Sequence, residues 1–346
     1  MGRKIGLGIV FMLVLALVLA GCNNPFSKEP ENVAPEPNYD NLLNAYEHIN
    51  EKPEDFYAPL TGMPVESELN QRIIGVMISN IKAARPQSGL LEADIVYEAL
   101  AESEITRLVA FYQSKQPAVI GPVRSARPYY IDLITGYDGV VVHVGASQAA
   151  YAKLRNNNIA YIDDITKSAG AFWRVSWRNS PHSTYVSYEN LLSAMKTFGY
   201  RTEGKFPELK FYDNAQVITG ESAQHVKIKY FDSYVIDYMY EPILRQYHRS
   251  INGLAHLDLD TGKQLTAKNI LVIRSTHRVL DSSGRRSIDV VGPGDGYLFQ
   301  NGVAREITWK SVDGVIRAFV DGVEQPLYPG QTWVIIVQNN TVVNYQ

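Results

Sequence analysis

Cysteine is almost absent from this 346-residue chain. The single one, Cys22, excludes any intramolecular disulfide and leaves no Cys-x-x-Cys pair for metal or redox chemistry. The seven histidines are scattered without a His-Glu-x-x-His pair, and Asp163-Asp164 is a lone doublet, so neither a metal nor a cofactor is expected. A Gly-x-Ser-x-Gly elbow is missing as well. Asp260-Thr261-Gly262 runs into Lys263-Gln264 as a hairpin would, and Gly292, Gly294 and Gly296 lie between two expected antiparallel strands, where they read as a turn and not a nucleotide loop. Excess charge of one sign is also lacking. Removing the four basic and eight acidic residues before Pro59 from the 33 and 36 of the whole chain leaves 29 against 28. A nucleic-acid binder or polybasic membrane-surface module would carry a basic excess, so neither class is favoured.

What is present starts at the N-terminus. Arg3 and Lys4 precede sixteen apolar or glycine residues, 5–20, short of the roughly 20 that span a bilayer as a helix. Leu19-Ala20-Gly21-Cys22 closes the run and resembles the lipobox of bacterial lipoproteins. That resemblance implies a signal peptide over residues 1–21, with Cys22 acylated (diacylglyceryl and palmitate) as the mature N-terminus. An uncleaved signal anchor is the alternative; either puts the body outside the membrane, and two or more acyl chains suffice for stable anchoring. The expected location is the cell membrane, lipid-anchored and facing the extracytoplasmic side. Residues 22–58 carry Pro25, Pro30, Pro35, Pro37 and Pro53 with an acidic excess, the composition of a tether.

The remainder suits two domains. In residues 59–213, apolar strand runs at 72–80, 93–100, 105–112, 119–123, 140–144 and 159–162 alternate with helix patterns. One helix begins near Ser125, one covers 147–154 behind Ser147, and one covers 188–198 between Ser187 and Gly199. This predicts an α/β sandwich-like domain with a mixed sheet. From residue 214 onward, short alternating runs are separated by Asn252-Gly253, Asp260-Thr261-Gly262, Ser283-Gly284, Asn301-Gly302 and Asp321-Gly322, which predicts an antiparallel all-β domain over 214–346. The fold class is therefore α+β, with the domain boundary near residues 214–223.

Two stretches concentrate polar groups among buried segments. In residues 119–151, Arg124 and Arg127 sit on a turn between a strand and a helix, a place where α/β sheets bind ligands, and His143 lies inside an apolar run, where an imidazole needs a partner or a cavity. In residues 172–185, Trp173 and Trp177 are four apart, as are Arg174 and Arg178, so each pair would share a face in a helix or in an extended strand. The tryptophans fit either a sugar-stacking platform or the core. The arginines fit either a phosphate or carboxylate fork, close to Pro181-His182-Ser183-Thr184-Tyr185, or ion pairs with Asp163 and Asp164. With Arg85 and Arg107 added, the candidate ligand-binding set is Arg85, Arg107, Arg124, Arg127, His143, Arg174, Arg178, His182 and Tyr185; Glu98, Glu102 and Asp132 are the partners a purely structural role would use.

Seven motifs then carry a family resemblance: Pro59-Leu60-Thr61-Gly62, Ala84-Arg85-Pro86-Gln87-Ser88-Gly89, Ala93-Asp94-Ile95-Val96-Tyr97-Glu98, Ile105-Thr106-Arg107, Gly121-Pro122-Val123-Arg124-Ser125-Ala126-Arg127-Pro128, His143-Val144-Gly145 and Pro181-His182-Ser183-Thr184-Tyr185. In this order behind a lipobox, with Asn252-Gly253, Pro329-Gly330 and Trp333 in the second half, the chain resembles the YerB-like bacterial lipoproteins, a two-domain family of unknown function. Ser183 departs from the asparagine usual before the Thr-Tyr of that motif. The resemblance implies a location and an architecture but no reaction. The expected role is a binding or scaffolding lipoprotein of the cell envelope with a cell-wall polymer or protein as partner. The competing role is an enzyme on an anionic or lipid-linked wall precursor, with the arginines holding the anion and His143 or His182 moving a proton.

Overall fold

In the computed structural model, residues 56–213 and 216–346 are described; the expected signal peptide, Cys22 and nearly all of the tether lie outside them, as do Asn214 and Ala215. The N-terminal half builds strands β1 (Ile74–Ser79), β2 (Ile95–Leu100) and β3 (Thr106–Tyr112), in which every residue is buried. Runs apolar on both faces can stay folded only between two covering layers. Helix α1 (Pro128–Gly136) leads to β4 (Val140–His143), α2 (Gln148–Asn156) to β5 (Tyr161–Asp163), and the hairpin β6 (Phe172–Arg174) with β7 (Thr184–Val186) to α3 (Tyr188–Thr197). Ser147 and Ser187 cap α2 and α3 as their positions suggested, accepting from Ala150 N at 3.2 Å and Asn190 N at 3.0 Å.

The C-terminal half is all β. A separate antiparallel sheet contains β8 (His225–Phe231), β9 (Tyr234–Glu241) and β10 (Gln246–Ile251), with the late strand β16 (Val342–Tyr345) against β8. The rest, β11 (Asn269–Ser275), β12 (Gly294–Gln300), β13 (Val303–Val312), β14 (Val315–Val320) and β15 (Thr332–Gln338), joins the main sheet. Antiparallel pairing prevails here except between β11 and β15, which run parallel.

The sheet does not stop at the expected boundary. Its order is β14-β13-β12-β11-β15-β2-β3-β1-β4-β5, with β15 hydrogen-bonded in parallel to β2 from Thr332↔Ile95 to Ile335↔Glu98. Packing likewise groups residues 54–346 into one unit. At the far end of α1 the two halves touch backbone to backbone: a Cβ on Gly136 would lie 2.1 Å from the Gly314 carbonyl oxygen.

Three local expectations are corrected. Residues 119–123 form no regular strand but three isolated bridges, Ser88↔Gly121, Ile120↔Val186 and Ile78↔Val123. Pro122 has no N–H to give a ladder, and Gly121 sits at φ 152° against the Tyr185 ring. Helix α1 starts at Pro128 and not near Ser125, because Arg127 is still extended at φ −130°, ψ 155°. Residues 172–185 are neither one helix nor one strand: Trp173 and Arg174 belong to β6, whereas Trp177 and Arg178 lie in the loop before β7, so the four-residue spacing gives no shared face.

Candidate anion-binding site

Strands β1, β4 and β5 run parallel, so their C-terminal ends, at Ser79, His143 and Asp163, open toward the same edge of the sheet. Arg124 is fastened at that edge by its backbone: its N–H donates to Met77 O at 2.8 Å, and its carbonyl accepts from Val144 N at 3.1 Å. The segment 120–127 is thus stitched between the tips of β1 and β4, where open α/β sheets characteristically hold ligands.

The Arg124 guanidinium, half-buried, makes no hydrogen bond or ion pair among the described residues. Burial, and then the nearby Arg107 charge, lower its pKa from the ordinary value, the mark of a cation short of counter-charge. His182 stands beside it. The residue is 9 % exposed, its Nδ1 lies 3.4 Å from Ser79 Oγ, and burial followed by the Arg124 and Arg178 charges pushes its pKa below the usual histidine value. Arg178 completes the group. It donates to the carbonyls of Ala83, at 3.0 Å, and Pro86, which tie it to the 82–89 loop but supply no negative charge. The Arg178 guanidinium also covers the Trp177 ring at 4.8 Å, and Trp177 is 59 % exposed. Three basic side chains therefore lie close enough to repel one another, with no carboxylate paired to any of them among the described residues, beside an exposed indole.

The other candidates part company with this group. Arg127 and Arg107 share Glu102, the latter at 3.1 Å, and Arg107 also donates to Ser125 O at 2.7 Å, so both arginines hold the loop in the structural way. Arg174 pairs with Asp164 on the surface. His143 does not join His182. Its Nδ1 donates to Gly145 O at 2.9 Å and lies 3.4 Å from Asp163 Oδ1, while the ring is flanked by Tyr161 and Tyr151 at 5.8 and 6.0 Å. Asp163 is saturated by Gly145 N at 2.7 Å, Tyr151 Oη at 2.8 Å and Thr166 Oγ1 at 2.7 Å. Burial lowers the His143 pKa against the pull of Asp163, while the Asp163 pKa is held low despite its own burial. Tyr185 is wholly buried over Gly121 with Trp173 and Trp177 against its ring at 6.5 and 6.0 Å, so it supports the loop and does not reach a ligand. Arg85 turns toward the C-terminal half, its guanidinium 5.8 Å above the Tyr234 ring.

A polar cluster that the sequence did not point to lies between the halves. Glu98, in the middle of β2, pairs with Arg249 of β10 at 2.6 Å, both side chains at 0 % exposure. Tyr234 Oη and Asn80 Nδ2 donate to the other carboxylate oxygen at 2.7 and 3.0 Å, Arg249 donates to Tyr238 Oη at 2.6 Å and His256 Nδ1 at 3.1 Å, and Trp333 stacks on its guanidinium at 4.5 Å. Burial would lower the Arg249 pKa, but Glu98, Tyr238 and Tyr234 outweigh it and raise it. His256, held well below its ordinary value by burial and then by the Arg249 and Arg85 charges, is neutral: its Nδ1 accepts from Arg249, so its Nε2 donates to Gln87 Oε1 at 2.7 Å. The available signal was Glu98 itself, a carboxylate inside a run otherwise buried on both faces, which demands a cation in the fold. No group of metal-ligating side chains occurs among the described residues.

Comparison with known proteins places these features in a family. Residues 60–201 match the family described as "Protein of unknown function (DUF3048) N-terminal domain", and residues 226–334 match its C-terminal domain. The "Putative lipoprotein YerB" of Bacillus subtilis (strain 168) is 38% identical over 284 residues, which cover 81% of this chain and 86% of that protein. The crystal structure of the YerB protein from Bacillus subtilis superposes with a TM-score of 0.77 at 37% identity, over 83% of this chain and 99% of that one.

Proposed function

The chain belongs to the YerB-like family of two-domain DUF3048 proteins, and from that membership we propose that it is a lipid-anchored, extracytoplasmic protein that binds an anionic, sugar-containing polymer of the cell envelope at the Arg124 opening. The anchor reading rests on the Leu19-Ala20-Gly21-Cys22 motif and on a relative whose name calls it a lipoprotein. No helix among the described residues is long and apolar enough to cross a membrane. The binding reading rests on one observation: Arg124, beside Arg178 and His182, is left without a counter-charge among the described residues. An unpaired guanidinium in partial burial costs free energy that a bound phosphate or carboxylate would offset. Trp177, exposed next to Arg178, would stack on a sugar ring of the same polymer.

Ser79 Oγ at 3.4 Å from His182 Nδ1 favours a second reading, acyl or phosphoryl transfer with Ser79 as nucleophile and the neutral His182 as base. It is the weaker one, since Ser79 is 3 % exposed and no carboxylate among the described residues orients the far side of the ring. Recovery of the intact lipoprotein from crosslinked membranes, with lipids, glycans and proteins all identified, tests the binding proposal. An anionic glycan that co-purifies with the native protein and is lost from Arg124→Ala is expected. Equal recovery from both, or recovery of a protein partner alone, contradicts it. Mass spectrometry of the same sample checks the anchor: wild type should carry a diacylglyceryl group that Cys22→Ser lacks.

A further inference from the structure

An opening lies where the 82–89 loop meets the turn after β10. It has a volume of about 370 Å³, within the roughly 300–1,000 Å³ of small-molecule sites. Ile251, Leu254, Leu257 and Pro86 give it apolar walls, and Lys82 and Arg85 are its charged side chains. Leu254 is 73 % exposed and Leu257 38 % exposed, an apolar surface without a cover among the described residues. His256 also lines it, but both its ring nitrogens are already engaged, with Arg249 and Gln87, so it brings neither charge nor a free acceptor. Arg85 is different. Its Nε is buried and makes no hydrogen bond, and its guanidinium has Tyr234 on one face, with no carboxylate in contact among the described residues.

We propose that this pocket binds a single amphipathic anion, its apolar group against Ile251, Leu254 and Leu257 and its carboxylate or phosphate on Arg85 and Lys82. Charge complementarity decides the class: the walls contain no acidic side chain, so a cationic amphiphile has no partner, while a neutral one leaves Arg85 as unsatisfied as before. The pocket shares no side chain with the Arg124, Arg178 and His182 group and goes beyond the function proposed above, so either can fail alone. Arg178 holds the loop between them through Ala83 O and Pro86 O, which keeps Arg85 in position when the pocket is empty.

Titration calorimetry of the full-length protein with octyl phosphate, kept monomeric, is the test. Octyl phosphate should bind at least about tenfold more tightly than octyl glucoside, and inorganic phosphate alone should not compete at equal concentration. Arg85→Gln should weaken octyl phosphate by about tenfold. Leu254→Ser, at a position exposed enough to leave the thermal midpoint unchanged, should weaken it by about fivefold. Equal affinity for octyl glucoside, indifference to both substitutions, or binding only to anionic vesicles and not to the monomer would overturn the proposal.

Discussion

Arg249 and Arg124 are both withdrawn from water in the same electrically balanced body, and they differ in what the fold supplies to each. Around Arg249 the chain brings a carboxylate, two tyrosine hydroxyls, an imidazole acceptor and an indole face from five separate positions. Around Arg124 it brings a second cation, Arg107, and the neutral ring of His182, and no acid among the described residues. A cation satisfied from within is part of the architecture, whereas one left short of charge at the C-terminal ends of the parallel strands β1 and β4 is available to something outside. The Arg/His group expected as one pocket divides: Arg107 and Arg127 fall on the satisfied side, Arg124, Arg178 and His182 on the open one, and His143 is bonded through Nδ1 alone, its buried Nε2 without a partner.

The largest effect should come from breaking the closed cluster. Glu98→Gln leaves Arg249 buried without its anion and should cost about 3–5 kcal/mol, read as a large drop in the denaturation midpoint. Replacing both partners, Glu98→Leu with Arg249→Met, should cost clearly less than the two single changes added together, because no charge is then stranded. A double variant as unstable as that sum would mean the pair does not act as a unit.

Acidification comes next. Burial sets the His143, His182 and His256 pKa values below the ordinary histidine value, so the unfolded chain takes up protons that the folded one refuses. The stability these groups give is therefore complete above about pH 6.5, the unfolded value, and is lost as the pH falls below it. His182 adds a signature of its own: an anion resting on Arg124 would cancel part of the repulsion that keeps the ring neutral. Sulfate, which does not titrate in this range, should consequently bind more tightly at pH 5.5 than at pH 7.5, and His182→Gln should flatten that dependence. An affinity independent of pH in the native protein would remove His182 from the site.

Smaller still is the exposed pair. Arg174→Ala loses only a surface contact with Asp164 and should change stability by no more than about 1 kcal/mol. A greater loss would show that the β6–β7 hairpin depends on that pair and blur the line drawn between closed and open arginines.

Much of this was legible in the sequence where burial is two-sided. The runs that became β1, β2, β3 and β4 announce themselves because every position must be apolar or paired, and the serine caps of α2 and α3 follow from their place before a helical pattern. β13 was not, since only Ala304, Ile307 and Trp309 of its ten residues turn inward and the polar positions between them hide the strand. The parallel pairing of β15 with both β11 and β2 was equally hidden: local turn signals report hairpins, and nothing local reports a strand that returns across the sheet. The closed cluster failed for the same reason, its central pair being 151 residues apart in sequence. At the open site, the motif residues Arg124 and His182 were found as types, but which arginines would be neutralised could be decided only by where Glu102 and Asp164 fell in space.

The thermal midpoint of Arg124→Ala, measured against wild type with and without millimolar sulfate at constant low ionic strength, tests the distinction most directly. In the absence of sulfate the midpoint should correspond to a stability within about 0.5 kcal/mol of wild type, and wild type should show a sulfate-induced rise that the variant lacks. A midpoint lowered as far as that of Glu98→Gln, or an undiminished rise with sulfate, would contradict it.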